Sequence, residues 1–343
     1  RVNMNENKFK RMEGGVTFPA GFRASGIHCG LRKNKNKKDL ALILADKPCS
    51  AAAIYTTNKV YGAPITVTRE HLKNGIARAA ICNSGNANTC NPDGVDKANA
   101  MCAALAKHLG IDENDIIITS TGVIGMPLPL EPILNGIPAL CDSLGYGAEN
   151  GYAAASAIMT TDTRLKQIAA EAVIDGVKVK IGGMSKGSGM IQPNMATMLC
   201  FVTTDADITP ETLQVLLKRV ADRTFNMISV DGDTSTNDTF SVMASGLAGN
   251  ALIDDPDSES GKAFEELLEY VCKYLKGMFP QCVFYNRFVE LEKEVLLPLT
   301  IFIGCEDILV ENCVGWTDCT NVFLADPWSA ERFVNLVRII SRM

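Results

Sequence analysis

Histidine is scarce in this chain of 343 residues, which contains only His28, His71 and His108. Their spacing matches no metal-ligand motif, so the histidines give little support to a zinc centre or a histidine-based triad. Cysteine occurs twelve times but never as a C-x-x-C pair, and the first residues lack the pattern of an export signal. These thiols predict a reduced protein of the cytoplasm or of an organelle matrix, and not a disulfide scaffold.

An excess of positive charge is also absent. The net charge is −6, so the composition gives no reason to expect a nucleic-acid or membrane-surface partner. The one basic run, residues 32–38, is typical of a solvated turn before a strand. The apolar run at 295–303 is too short to cross a bilayer. What the chain does have is 47% hydrophobic residues, 28 Gly and 14 Pro, the composition of a folded protein with many loops.

Short apolar runs separated by Pro, Gly and Asn predict a series of strands, at 40–46, 52–58, 64–70, 77–85 and 115–119. Residues 172–183 predict a hairpin, and an apolar run after Thr197 predicts another strand. Apolar stripes at helical spacing predict four helices. The first runs through Ala98, Met101, Cys102 and Leu105 and ends at Gly110, and the second lies near 149–159. The third has Thr209 as N-cap, and the fourth runs through Phe264, Leu267, Leu268 and Val271 and ends at Gly277. The acidic segment 254–261 is interpreted as a surface loop.

Five turns rich in glycine and hydroxyl groups are candidates for chemistry, at 82–94, 119–125, 159–163, 182–199 and 231–238. Taken singly, each also has a structural interpretation as a loop that tolerates left-handed backbone, and for 82–94 that interpretation is preferred. The fourth turn is not a P-loop, because Lys186 precedes Gly187 and the chain continues into a strand, not a helix. A lysine beside glycines is not expected to be packed, but it could neutralise a ligand carboxylate.

The fifth turn begins like a calcium loop, since Asp231, Asp233, Ser235 and Asn237 alternate. A calcium loop needs Gly at its sixth position and Glu at its twelfth. Thr236 and Val242 stand there instead. The pattern therefore predicts a polar turn near a site, with no metal.

Thr197, which precedes the strand-like run from Met198, has two interpretations. Threonine favours strands and often opens them. Alternatively its hydroxyl is a nucleophile, which requires a base within hydrogen-bond reach. An N-terminal threonine carries such a base in its own α-amine, with a pKa of about 8. That amine exists only if the Ala196–Thr197 bond is cut, so one hydroxyl would serve first in self-cleavage and then in acyl transfer.

The motifs "GGVTFPAGFRASG", "NSGNAN", "STGVIG", "TTDT", "KGSGMIQPNMATML" and "DGDTSTND" occur together and in this order. Over about residues 14–250 the chain thereby closely resembles the ornithine acetyltransferase (glutamate N-acetyltransferase) family of arginine biosynthesis. The resemblance implies a layered α/β sandwich that cleaves itself into an α chain, 1–196, and a β chain, 197–343. It further implies acetyl transfer from N-acetylornithine to glutamate in the cytoplasm, through an acetyl-threonine on Thr197.

The same resemblance assigns roles to individual residues. Thr121 and Gly122 would form the oxyanion pair, and Thr160 and Lys186 would contact substrate. No cofactor is implied, although some members of the family accept acetyl-CoA as a co-substrate. The mature family enzyme is usually an α2β2 assembly.

Beyond about residue 276 the resemblance ends. The family segments "DGEGATK" and "NWGR", together with the residues that complete its substrate pocket, have no counterpart here. The tail is either a divergent domain or, as our preferred hypothesis, a frame-shifted reading, because periodicity is poor after residue 277. Two rival functions stay open: a self-processing amidohydrolase or aminopeptidase, and an inactive homologue that lacks the C-terminal substrate-binding segment.

Overall fold

The computed structural model describes residues 8–187, 198–229 and 234–278, together with a two-residue strand at 283–284. The chain divides into two compact units, Arg1–Phe279 and Pro280–Met343. The fold described here is that of the first unit. The proposed boundary between α and β chains, at 196 and 197, lies outside the described residues.

The first unit alternates strands with helices. Its strands are β1 (Lys10–Met12), β2 (Phe22–Ile27), β3 (Leu40–Tyr55), β4 (Ile76–Asn86), β5 (Ile116–Val123), β6 (Lys166–Ile174), β7 (Val177–Lys186), β8 (Leu199–Thr204), β9 (Ile228–Ser229) and β10 (Thr239–Ala244). Its helices are α1 (Ala63–His71), α2 (Gly94–Leu109), α3 (Leu130–Asp142), α4 (Ala148–Ile158), α5 (Pro210–Arg223) and α6 (Glu259–Gly277). The second unit contributes β11 (Val283–Phe284).

One mixed sheet organises the described part of the first unit. Its strand order is β1-β6-β7-β8-β10-β3-β4-β5, and β2 pairs with β3. β8 runs parallel to β10 and antiparallel to β7, so it is bonded along both of its edges. β4 and β5 are also parallel, while the other pairs are antiparallel.

The sheet folds back on itself. Thr121 of β5 and Lys186 of β7 are five strand steps apart in the strand order, which in a flat sheet is about 24 Å. Their side chains are nevertheless only 3.1 Å apart. The long strand β3 belongs to both halves, and its register with β4 shifts between Leu44 and Cys49. Such an irregularity bends a strand, and it marks the point at which one half of the sheet turns toward the other.

The fold-back produces layers. The two halves share an inner core with α4, which includes Ala41, Ile43, Phe201, Met243, Ala154 and Ile158. Helices α1 to α3 cover the outer face of β3, β4 and β5 through Leu42, Ile81, Val67, Met101 and Ile137. On the other half, α6 packs so closely on β7 that a Cβ at Gly183 would lie 3.1 Å from Val271 and Leu275. The predicted layered α/β architecture is therefore confirmed.

The prediction of a strand at 64–70 is wrong, because this segment is helix α1. Its β-branched residues favour a strand locally, but Pro64 stands in the first turn, where proline suits a helix. The helix is held by its tertiary contacts. Thr68 Oγ1 donates to the carbonyl of Ile118 at 2.7 Å, and His71 Nδ1 lies 2.8 Å from the carbonyl of Ile116. Both carbonyls belong to the edge strand β5, so α1 covers an otherwise open sheet edge.

The remaining predictions are mostly confirmed. The strands at 77–85 and 115–119, the hairpin and the four helices all occur, and Thr209 caps α5 by accepting from the Thr212 N–H. The strands predicted at 40–46 and 52–58 are one continuous strand. Helix α3 has no counterpart in the sequence predictions, since Gly136 and Pro138 interrupt its pattern. Part of the predicted loop 254–261 already belongs to α6, which begins at Glu259 with Ser258 as N-cap.

In the part of the chain that the structure describes, no helix is both long and apolar enough to cross a membrane. The eight described cysteines, which include Cys82 and Cys200, are all free thiols.

Candidate active site

Lys186, the last residue of β7, is packed inside the protein and not left free between glycines as the sequence suggested. It is 3% exposed, and its ammonium donates to Thr121 Oγ1 at 3.1 Å. The fold-back of the sheet causes this contact, because it brings the ends of β7 and β5 together. Two residues that the family resemblance assigns to the site, Lys186 and Thr121, are therefore in direct contact.

Asp162 links Lys186 to the third such residue, Thr160. Its Oδ2 accepts from the Thr160 N–H at 3.1 Å, and its Oδ1 accepts from the Gly187 N–H at 2.8 Å. The same Oδ1 forms a buried ion pair with Lys166. One carboxylate thus fixes the backbone at Thr160 and the backbone just after Lys186.

A second carboxyl, Asp238, directly precedes β10 and contacts the chain just before β8. It is 1% exposed, and its Oδ1 accepts from the Met198 N–H at 2.7 Å. Its Oδ2 is buried and makes no hydrogen bond among the residues that the structure describes. Because Met198 directly follows Thr197, this carboxyl is attached to the residue next to the predicted nucleophile. Asp162, Lys166, Lys186 and Asp238 are called the charged cluster below.

Burial and mutual charge set the protonation of this cluster. Burial lowers the pKa of Lys186, while the carboxylates of Asp162 and Asp238 act in the opposite direction. Burial raises the pKa of Asp238 well above its ordinary value, against the Met198 N–H, the Ser235 hydroxyl and the charge of Lys186. Burial also acts to raise the pKa of Asp162, but Lys166, Lys186 and the Gly187 N–H together hold it below its usual value. The two carboxyls therefore shift in opposite directions.

Cys82 and Arg32 border the cluster. Burial raises the pKa of the Cys82 thiol to about 12, so this residue is a thiol at neutral pH and not a thiolate nucleophile. Arg32 belongs to the run predicted to be a solvated turn, and Lys33 to Lys37 are indeed exposed. Arg32 itself is only partly exposed. It donates to the carbonyl of Met159, and its buried Nε makes no hydrogen bond within the described part of the chain. It adds a second cation beside Thr160.

Gly122, the other predicted oxyanion residue, lies in β5 directly beside Gly85 of β4. Its φ is +137°, and an added Cβ would lie 2.3 Å from the carbonyl carbon of Gly85, its register partner. Both the left-handed backbone and the close approach require glycine here. The backbone of Gly122 is thus fixed next to Thr121.

A neutral hydrogen-bonded group supports these turns. The Asn237 amide donates to the carbonyls of Ala87 at 2.7 Å and Ser120 at 3.0 Å, and its oxygen accepts from Thr89 and Thr236. Ser120 donates in turn to Asn83. Asn83, Asn86, Thr89, Ser120, Thr236 and Asn237 are called the amide network below. Its side chains bond mainly to the protein's own backbone. Asn88 and Cys90 both have a positive φ, which agrees with the structural interpretation of 82–94 as a loop that tolerates left-handed backbone.

The structure brings together four residues that the resemblance assigned: Thr121, Gly122, Thr160 and Lys186. The predicted nucleophile Thr197 and its neighbour Ala196 lie outside the described residues, as do Asp231 and Asp233 of the calcium-like pattern. Sequence reasoning missed Asp162, Asp238 and Arg32. The "TTDT" and "TSTND" motifs contained the two carboxylates, but nothing in the sequence indicates which backbone groups they bind.

Comparison with known proteins identifies the family. A family model described as ArgJ matches residues 23–280, which are 258 of the 343 residues. The chain belongs to the ArgJ family. The arginine biosynthesis bifunctional protein ArgJ of Caldanaerobacter subterraneus subsp. tengcongensis is 47% identical over 77% of this chain. The ArgJ of Symbiobacterium thermophilum is 49% identical over 77% of it.

The match to these ArgJ proteins is partial on their side. The chain spans less than two thirds of their length, 64% and 65% respectively. Among solved structures, ArgJ from Bacillus halodurans aligns with a TM-score of 0.52 at 43% identity, over 55% of this chain and 98% of that one. The ornithine acetyltransferase of Mycobacterium tuberculosis in complex with ornithine aligns with a TM-score of 0.50 at 33% identity, over 56% of this chain and 100% of that one.

Proposed function

We propose that this chain transfers an acetyl group from N-acetylornithine to glutamate in arginine biosynthesis, after cleaving itself between Ala196 and Thr197. Membership of the ArgJ family supports this, and so does the likeness to an ornithine acetyltransferase whose structure contains ornithine. The observation that carries the proposal is the 3.1 Å contact between Lys186 and Thr121. It joins a cation to a hydroxyl at the turn where an acyl oxygen would develop charge.

The first step is the formation of the nucleophile. The Thr197 hydroxyl oxygen attacks the carbonyl carbon of Ala196, the C–N bond breaks, and the hydroxyl proton ends on the departing nitrogen. Water then hydrolyses the ester, which leaves a carboxylate on Ala196 and an α-amine on Thr197. That amine is the base that a threonine hydroxyl requires.

The transfer follows the same pattern twice. Thr197 attacks the acetyl carbonyl of N-acetylornithine, and ornithine leaves with the proton held by the α-amine. Glutamate then attacks the acetyl-threonine and restores the hydroxyl. Because deacetylation reverses acetylation, oxyanion donors at Thr121 and Gly122 stabilise both tetrahedral intermediates.

Lys186 fits both substrates. Donor and acceptor each carry an α-carboxylate, so a single buried cation holds them in turn, and ion-assisted hydrogen bonds are about twice as strong as neutral ones. No cofactor is required in this scheme, since threonine itself carries the acetyl group. Whether acetyl-CoA also serves as donor is tested by supplying it in place of N-acetylornithine.

The test has two readouts. N-terminal sequencing of the purified protein should find a chain that begins at Thr197, and N-acetylornithine with glutamate should give N-acetylglutamate without net acetate. Release of acetate in water alone would support the amidohydrolase or aminopeptidase instead. Thr197→Ala should abolish both cleavage and transfer, and survival of either would contradict the scheme.

One observation favours a second candidate, an inactive homologue. The family match ends at residue 280, although the chain continues to residue 343. A single species with the mass of the intact chain would support this candidate. For an active chain we propose an α2β2 assembly located in the cytoplasm, which light scattering and cell fractionation would test.

A further inference from the structure

Asp162 is a buried carboxylate to which the reaction described above gives no role. Its Oδ1 accepts from the Gly187 N–H at 2.8 Å, and its Oδ2 accepts from the Thr160 N–H at 3.1 Å. Oδ1 also forms an ion pair with the ammonium of Lys166, which is buried as well. One carboxylate therefore joins three segments of the chain: the turn at Thr160, the start of β6 and the backbone just after β7.

Lys186 is the neighbouring cation, and its described hydrogen bond is to a neutral group. The ammonium donates to the hydroxyl of Thr121. An ammonium that is only 3% exposed is costly unless an opposite charge compensates it. Burial acts to lower the pKa of Lys186, and the carboxyls of Asp162 and Asp238 act to raise it. The charge of Lys186 thus depends on carboxyls that lie near it.

These two carboxyls are not equivalent. Burial raises the pKa of Asp238 well above its ordinary value, which favours the neutral form. Burial acts in the same direction on Asp162, but its two lysine neighbours and the Gly187 N–H hold its pKa below the usual value. Asp162 is therefore the carboxyl that carries a negative charge at neutral pH.

The resulting balance of charge suits a site for one carboxylate. With Asp238 neutral, the charged cluster holds two ammonium groups and one carboxylate, so one positive charge is left over. Lys166 is paired directly with Asp162, whereas Lys186 donates to a hydroxyl. A direct ion pair would occupy Lys186 and compete with a ligand. A carboxylate bound to the adjacent Gly187 backbone compensates the ammonium without taking that place.

We propose that Asp162 is a positioning residue whose negative charge keeps the ammonium of Lys186 available for the substrate carboxylate. Its hydrogen bonds also fix the backbone that carries Thr160 and Lys186. The inference rests on the proposed function and deepens it, because Asp162 acts on the substrate only through these two residues.

Three other groups act on the charge of Lys186 from the elements around it. They are Asp238 before β10, Cys82 of β4 and Lys166 of β6. Burial keeps Asp238 and the Cys82 thiol largely neutral at neutral pH, and Lys166 repels the ammonium. None of the three replaces Asp162 as the compensating charge.

Two variants separate the charge of Asp162 from its hydrogen bonds. Asp162→Asn removes the charge, so Lys186 should lose its proton at a lower pH than in the wild type. Asp162→Glu retains the charge but displaces the carboxylate from the two N–H groups, so its loss of activity should not depend on pH. Relative to the wild type, kcat/KM for glutamate in Asp162→Asn should fall at least about 10-fold further at about pH 9 than at about pH 6. The pH-dependent part should appear mainly in KM, because the ammonium binds substrate and breaks no bond.

Asp205→Asn is the matched control. Asp205 is also a buried carboxyl bound to a backbone N–H of β7, that of Lys180 at 2.7 Å, but it lies outside the charged cluster. We expect this variant to keep the pH dependence of the wild type. The same pH dependence in Asp162→Asn and Asp162→Glu would overturn the inference.

Titration of Lys186 itself gives a readout that needs no turnover. Carbon-13 NMR of protein labelled at the lysine Cε atoms follows each ammonium, and Lys186→Met identifies the resonance. The midpoint of Lys186 should lie at lower pH in Asp162→Asn than in the wild type. In Lys166→Met it should lie at higher pH, because the repelling cation is gone, so the test does not depend on the folding of one variant.

An unchanged midpoint in both Asp162→Asn and Lys166→Met would overturn the inference. Acetyl transfer by the wild type without a shift in Asp162→Asn contradicts the inference alone. A wild-type chain that transfers no acetyl group contradicts the proposed function, and the titration then still decides whether Asp162 sets the charge of Lys186.

Discussion

Asn237 and Asp238 are adjacent in sequence and both are buried, yet they belong to two regions that use polar groups in opposite ways. In the amide network, neutral side chains bond to backbone carbonyls and to one another, and the Asn237 amide is fully satisfied. In the charged cluster, two carboxyls have pKa values shifted in opposite directions, and one oxygen of Asp238 makes no hydrogen bond to the residues that the structure describes. Satisfied polar groups make a rigid support, while unsatisfied and charged ones are a usual mark of a reactive site.

The largest effect is expected from Gly122→Ala, at the close approach of β5 to β4 beside the amide network. The new Cβ would overlap the Gly85 backbone, 2.3 Å away, at a φ of +137°. Strain and overlap together should cost at least about 4 kcal/mol of unfolding free energy in urea. The control is Gly125→Ala, where φ is +76° and nothing lies within 4 Å. There the cost should be about 1 kcal/mol; equal losses would refute the close approach.

Asn237→Ala should be next in size. It removes four hydrogen bonds and leaves two buried carbonyls without this donor, for a loss of about 3 kcal/mol. Because no titratable group is removed, the loss should be the same at acid and at neutral pH. The exposed pair of Asn114 with Asp112 serves as control, with a change below about 0.5 kcal/mol in Asn114→Ala.

Lys186→Met tests the charged cluster itself. It retains most of the side-chain volume but removes the cation that would hold the substrate carboxylate. We expect kcat/KM for acetyl transfer to fall about 100-fold, which is about 2.7 kcal/mol. Lys178→Met is the control on the same strand, since its ammonium is exposed in a 3.5 Å pair with Glu171, and such pairs contribute little. Equal activity of the two variants would remove Lys186 from the site.

The smallest effect has the opposite sign. The folded state raises the pKa of Asp238 from its ordinary 3.8, so this group lowers stability as the pH rises above about 4 and the unfolded chain ionises. Asp238→Asn should therefore stabilise the protein at pH 7 by about 1 kcal/mol, a Tm rise of about 2–4 °C. The gain should vanish near pH 4, and calorimetry that finds it unchanged there would contradict the assigned shift.

How far the sequence predicts the fold depends on which interactions decide each element. Helix α5 begins with a local signal, the N-cap Thr209 followed by Pro210, so its sequence pattern was sufficient to predict it. Helix α1 was misassigned because its β-branched residues favour a strand, and it is held by bonds from Thr68 and His71 to β5, 45 to 50 residues away. Propensity loses to such tertiary contacts, and no local pattern reveals them.

The candidate site shows the same limit. The family motifs pointed to Thr121, Gly122, Thr160 and Lys186 as site residues. The contact of Lys186 with Thr121, however, depends on a bend in β3 that no sequence pattern predicted. Asp162 and Asp238 were visible only as acids within polar turns. Their importance comes from backbone N–H groups far along the chain, at Gly187 and Met198, so only the folded structure distinguishes them from solvated carboxylates.

The position of β8 bears on the state of the chain after the proposed self-cleavage. β8 runs between β7 and β10 and is bonded to both, so hydrolysis of the peptide bond just before it removes one covalent link and none of these ladders. Under native conditions the two polypeptides would migrate as one particle, and they would separate only in denaturant. A size-exclusion profile would therefore look the same before and after scission, while a denaturing gel would show two bands.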